Sequence, residues 1–296
     1  MNLIPPISIT DALFHDSSIT EPSIAELANP NYLGAYAAGT TYSVNAIVLV
    51  VATHKLYKSL KNLNVGNTPG GAGNETWWLD WGASERWKPF DGKVGSQATG
   101  ADSITYELDP GPFDSIAILN LEAASVTVTV TDVGGAGPAI VWTETTLADG
   151  LFVTDIVKTD FPLTYLTPHV LIEITYTGYT ALVGEIIVGQ KQSIGTMKFT
   201  PSVGIIDYSV KQVDAFGNYT VLERAYSKRL TCETFFYNTS LDAVYNLLAE
   251  YRAQPAVWVG SEDYASLIVY GYYKRFSIAL TYPTFSICTL EIEGLV

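Results

Sequence analysis

The chain has 296 residues, of which 48% are hydrophobic and 16% charged, and its net charge is −14. It is too apolar for a disordered chain and long enough for one to three domains with their own cores. Its acidity argues against a nucleic-acid partner, which needs a basic stripe. The longest apolar run, residues 46–52 (AIVLVVA), falls far short of the roughly 20 residues of a membrane-spanning helix, so no membrane span is expected.

In chain order, residues 1–33 mix Pro, Ser and Asn with isolated apolar positions and read as an extended N-terminal arm. Its first sixteen residues lack a basic n-region and a compact apolar h-region, so no signal peptide is expected. Residues 34–86 form a compact unit rich in Tyr, Trp and Gly, and the stretch NETWWLDWGASERW (74–87) holds four of the six tryptophans. Residues 87–195 carry strand signals at regular spacing, VTVTVTD (126–132) and the run 170–189 among them, punctuated by turns such as DPGP (109–112) and GGAGP (134–138). Residues 196–296 add strands at 267–280 and 286–295 and one helix in TSLDAVYNLLAEYRAQP. There Leu241, Val244, Tyr245, Leu248 and Tyr251 recur at helical spacing, Ser240 is placed to cap and Pro255 stops the helix. The expected class is mainly β: a small aromatic β-module, a β-sandwich and a C-terminal α+β domain with one helix.

Charge divides the chain. Residues 1–189 carry 7 basic and 20 acidic side chains, and residues 190–296 carry 9 and 10, which points to parts with different surroundings. Cys232 and Cys288 have no metal-ligand spacing and read as reduced core thiols.

Signals of catalysis are weak. His15, His54 and His169 lie in three different segments with no metal-site spacing, and there is no nucleophile elbow, P-loop or dinucleotide fingerprint. Asp109, Asp114, Asp132 and Asp149 sit beside turn residues, where solvated or turn-capping roles are commonest. The expectation is a protein that is not an enzyme and has no cofactor and no metal. Calcium on turn carboxylates of the sandwich would require hard oxygen ligands to converge, and spacing does not show that they do.

Three resemblances refine this picture. Tyr36, Gly39, Tyr42, Val48, the run Leu56–Tyr57–Lys58–Ser59, Asn64, Gly66, Pro69 and Trp77–Trp78 follow a pattern that resembles the chitin-binding-type carbohydrate modules, with Tyr36 where that family usually has Trp. The resemblance implies sugar stacking on exposed aromatics, with Tyr57, Trp77 and Trp78 as candidates; the opposing reading makes these rings the unit's own core. Trp78 is the favoured sugar contact, and Trp81 is expected to pack the two neighbouring domains together. Trp87, Phe90 and Asp91, the strand 115–121, the Ile–Glu–Ile of 172–174 and the closing Gly184–Gly189 segment resemble a galactose-binding-like jelly roll, read here as scaffold.

The last third, from VGIIDYSVKQVDAFGNYTVLERAYSKRLTCETFF to LEIEGLV, is similar to tail proteins of tailed bacteriophages. That resemblance implies a virion protein of a tail tip or baseplate, a ring or hub of threefold or sixfold copy number, other tail proteins as partners and contact with host surface glycan. The interleaved Asp207, Tyr208, Lys211, Arg224, Tyr226, Lys228 and Arg229 suit an assembly interface. The alternatives are a carbohydrate-binding adhesin and, third, a polysaccharide-degrading enzyme.

Overall fold

The computed structural model describes residues 1–135, 137–213 and 216–296, and they are mainly β. The GGAGP turn includes Ala136, which lies outside the described residues. The alternating segment at 126–132 is the strand Ser125–Asp132, with Val126, Val128 and Val130 buried on one face, as period-2 geometry requires. It lies in a five-stranded sheet ordered Ile140–Thr145, Ser125–Asp132, Pro168–Val183, Ala98–Leu108 and Phe14–Ser17. The run 170–189 is two strands rather than one. It breaks at Gly184, where the chain leaves this sheet for another and a Cβ would come within 2.3 Å of the Val94 carbonyl.

The second sheet has three strands, ordered Ile156–Lys158, Ser115–Leu119 and Glu185–Gly189. Ile116, Ile118, Ile156, Ile186 and Val188 face the five-stranded sheet and complete the sandwich core with Ile104, Tyr106, Leu108, Val128 and Ile172. All five residues of Ser115–Leu119 and all five of Glu185–Gly189 are buried. Such unbroken buried runs mark strands covered on both faces.

The covering layer is an eight-stranded sheet built mostly from the C-terminal third. Its order is Gln192–Ser193, Asn2–Ile4, Ala256–Val259, Ile268–Ala279, Phe285–Gly294, Tyr226–Tyr237 and Thr196–Met197, with Ser202–Asp207 also paired to Tyr226–Tyr237. Ala117, Leu119, Val157 and Ile187 of the three-stranded sheet pack against Ile4, Val257, Val259, Ile268 and Tyr270. At about 1.5–3 kcal/mol for each fully buried large apolar side chain, separating these layers costs on the order of 10 kcal/mol. The sandwich is therefore packed directly onto the C-terminal sheet.

On the opposite face of the eight-stranded sheet, Leu3, Leu230, Trp258, Val269, Leu290 and Ile292 form another core with Val244 and Leu248 of the helix Leu241–Glu250. Ser240 stands at the helix N-cap position, but its side chain makes no capping bond, because a short 3-10 turn, Asn238–Ser240, leads into the helix. Cys232 and Cys288 are free and buried in this core, and burial pushes their thiols up to about 11 and about 12.

Residues 1–33 contribute strands to both large sheets. Asn2–Ile4 pairs in the eight-stranded sheet with Ala256–Val259, and Phe14–Ser17 edges the five-stranded sheet against Ala98–Leu108. The short helix Ile24–Ala28 carries a complete capping box between Ser23 and Glu26. The aromatic unit is a four-stranded sheet ordered Tyr32–Ala35, Ile47–Val50, Lys55–Ser59 and Trp78–Ala83, so its first strand begins inside the stretch read as an arm.

Candidate functional site

The aromatic unit places its motif residues inside itself. Trp78 is 3% exposed and lies edge-on to Tyr42 and Tyr36, with ring centroids 5.3 and 6.0 Å away. Its indole N–H donates to the Asn67 carbonyl at 2.8 Å, the same oxygen that accepts from the Tyr36 hydroxyl at 3.0 Å. Tyr57 is buried in the same cluster, and Gly70, at a φ of +70°, lets the backbone pass so close that a Cβ would meet the Tyr57 hydroxyl at 2.6 Å. Asn64 is buried and donates to Ser59 Oγ and to the Trp77 carbonyl. Trp78 and Tyr57 thus close a core and offer no ring face to a sugar. Trp77 is half-buried, with Lys61 Nζ 4.6 Å from its ring centroid. The exposed ring is Trp81, at 50% exposure, with Lys58 Nζ 4.7 Å from its centroid. It does not join the domains.

That seam is made by Trp87. The ring of His54, from the aromatic unit, stacks on Trp87 with centroids 4.0 Å apart and planes at 16°, and Phe14 packs on Trp87 at 4.8 Å. Residues 1–33 clamp the histidine: its Nδ1 lies 2.7 Å from Glu21 and its Nε2 2.6 Å from Asp11. Glu21 also accepts from the Ser84 hydroxyl. His54, Trp87, Phe90 and Asp11 line a pocket of about 410 Å³ at this seam.

A second pocket, behind Phe90, holds Asp91 and Glu185. Glu185 is 4% exposed, and its Oε1 accepts from the Gly92 N–H at 3.3 Å. Its Oε2 and the Oδ2 of Asp91 are buried without a hydrogen-bond partner. Burial and then the neighbouring Asp91 charge raise the Glu185 carboxyl to about 9, and burial raises that of Asp91.

The predicted assembly residues divide. Tyr208 and Tyr226 are 43% and 57% exposed, and Tyr208 Oη is 3.1 Å from Ser227 Oγ. Lys211 pairs with Asp207 at 3.1 Å on the surface, and Arg224 donates its backbone N–H to Ser209. Arg229 is tied to Glu291, which also pairs with Arg275 at 2.7 Å. Lys228 faces inward to Asp155 and belongs to the internal junction, not to an outer surface.

Sequence reasoning missed the uncovered apolar surface beside these residues. Val210–Val213 and Tyr219–Leu222 pair as a two-stranded hairpin that, among the described residues, joins no other sheet. Its Val213, Tyr219, Val221 and Leu222 are 55–77% exposed, and Val203 and Ile205 on the adjoining strand are 49% and 62% exposed. The alternation of apolar residues in this segment is the available signal, but it does not say which face stays exposed.

Comparison with protein-family models gives no match, nor does comparison with curated proteins. Among solved structures, the chain is similar to chitosan-binding module 1 derived from a chitosanase/glucanase of Paenibacillus sp. IK-5. The identity is 22% over 34% of this chain and 81% of that one, with a TM-score of 0.26. At that score the likeness decides nothing about this chain.

Proposed function

We propose that this chain is a structural protein of a bacteriophage tail tip or baseplate, built into the virion as a symmetric ring or hub. The observation that carries this reading is the Val210–Val213 and Tyr219–Leu222 hairpin with its uncovered apolar side chains. An isolated two-stranded hairpin is marginal in water, and an apolar patch of this kind marks a surface that another chain covers. A second copy of the chain is the favoured occupant, because closed rings reuse one patch and its complement on every subunit. Charge supports the association: residues 190–296, with 9 basic and 10 acidic side chains, would come together with little repulsion. In this reading the chain is not an enzyme, and other tail proteins are its further partners. Proteomic and immunogold examination of purified phage particles tests the assignment: the protein localises to the tail tip, and its absence from the particle would sink the idea.

A second reading, contact with host surface glycan, rests on Trp81, whose half-exposed ring sits in the unit whose motif resembles carbohydrate modules. Glycan arrays probed with the full chain and with Trp81→Ala test it. Binding lost in the variant supports this reading, and equal binding by the two removes Trp81 from it.

A further inference from the structure

We propose that His15, His169 and Asp109 form a binding site for a divalent transition-metal ion of the zinc class, on the outer face of the five-stranded sheet. The two histidines lie 154 positions apart in sequence, and the sheet order brings them together. Phe14–Ser17 and Pro168–Val183 flank Ala98–Leu108 on its two sides, and Asp109 directly follows that middle strand. Val170 pairs with Leu108, and both point into the core, so the alternation of the strands sends His169, Glu107 and Asp109 to the outer face. The ladder between Phe14–Ser17 and Ala98–Leu108 slips by one residue between Phe14 and Asp16. His15 is the extra residue of that irregularity, a device that commonly re-aims a side chain.

The donor atoms are paired in a particular way. His15 Nδ1 is 3.3 Å from Asp109 Oδ2, and His169 Nδ1 is 2.8 Å from Asp109 Oδ1. On the far side of each ring, Glu107 Oε2 is 3.9 Å from His15 Nε2 and 3.5 Å from His169 Nε2. The rings stand nearly perpendicular, 5.1 Å apart, and one ligand atom from each of His15, Asp109 and His169 lies within 4.8 Å of the others. Bond lengths near 2.0–2.1 Å in a tetrahedral site place ligand atoms about 3.3 Å apart, so small side-chain rotations suffice. The two Nδ1 atoms and Asp109 would then hold the ion, and the two Nε2–H groups would donate hydrogen bonds to Glu107 from outside, fixing both tautomers. Two imidazoles favour zinc, copper, nickel or cobalt over calcium or magnesium. The three ligands leave a fourth position facing solvent. The ion would also clip Phe14–Ser17, held to its neighbour by a short ladder, onto the sandwich.

Isothermal titration of the full chain with zinc chloride, together with cobalt absorption spectra and thermal unfolding, tests the proposal. The expected result is one saturable zinc equivalent, visible cobalt bands, a raised melting temperature and no response to calcium at this site. His169→Ala and His15→Ala abolish the equivalent, whereas Glu107→Gln keeps the stoichiometry and weakens affinity about tenfold. All three substitutions are at partly or fully exposed side chains, and circular dichroism verifies that each variant folds. The proposal is overturned if zinc fails to saturate below millimolar concentration, or if both histidine variants bind it as the parent does.

Discussion

The Lys228 ammonium sits on the Asp155 carboxylate, joining the eight-stranded sheet to the three-stranded layer of the sandwich. Asp155 is 5% exposed and also accepts the Asn120 N–H at 2.8 Å, while Lys228 donates to the carbonyls of Ala265 and Ile268 at 2.7 and 3.3 Å. Removing one partner of a buried pair leaves the other charge uncompensated, which is costlier than removing both. Lys228→Met is therefore expected to lower stability by about 3 kcal/mol, and Lys228→Met with Asp155→Asn by less than the single change. Urea unfolding of the four members of the cycle measures the coupling; additive effects would show that the pair is not an internal lock.

Trp78 and Trp81 differ by three positions and should differ sharply in effect. Trp78→Ala empties the core of the aromatic unit and is expected to cost about 3–5 kcal/mol, whereas Trp81→Ala, at an exposed position, stays within about 0.5 kcal/mol. Thermal and urea unfolding monitored by tryptophan fluorescence gives both values. A stability loss at Trp81 as large as that at Trp78 would contradict the packing described.

Glu185 predicts a dependence on pH. Its carboxyl is raised from an ordinary value near 4.5 to about 9 by burial and by Asp91. The folded state therefore keeps the proton after the unfolded state has lost it. The stabilisation is complete below pH 4.5 and is lost as pH rises toward 9, by up to about 1.4 kcal/mol per pH unit. With chelator present, the parent chain should lose stability between pH 5 and pH 8 and Glu185→Gln should lose less, as read by urea midpoints. Parallel pH profiles would show that Glu185 is ionised in the folded chain.

Much of the β architecture is readable because alternation in Ser125–Asp132 and Phe285–Gly294 reports one buried face, and the 3.6-residue spacing of Val244 and Leu248 reports a helix. What escapes is non-local. Ser115–Leu119 and Glu185–Gly189 read as strands, yet nothing within them names the second layer that covers them. Asn2–Ile4 is too short to show periodicity, and its place beside Ala256–Val259 follows from a pairing across the whole chain. The aromatic motif is legible, but a core tryptophan and a ligand-binding one have the same letter, and it is the burial of Trp78 against Tyr42 and Tyr36 that decides between them. His15 and His169 escape for the same reason: their proximity is created by the order of strands, which spacing along the chain does not encode.

The most direct test of the assembly account is the mass and symmetry of the purified full-length chain, from light scattering with electron-microscopy class averages, compared with a Val221→Asp, Leu222→Asp variant. Both positions are exposed on the hairpin, so the fold should persist by circular dichroism. The account predicts a closed ring of three or six copies for the parent chain and a monomer for the variant. A parent chain that stays monomeric at every concentration, or a variant that assembles as the parent does, would contradict it.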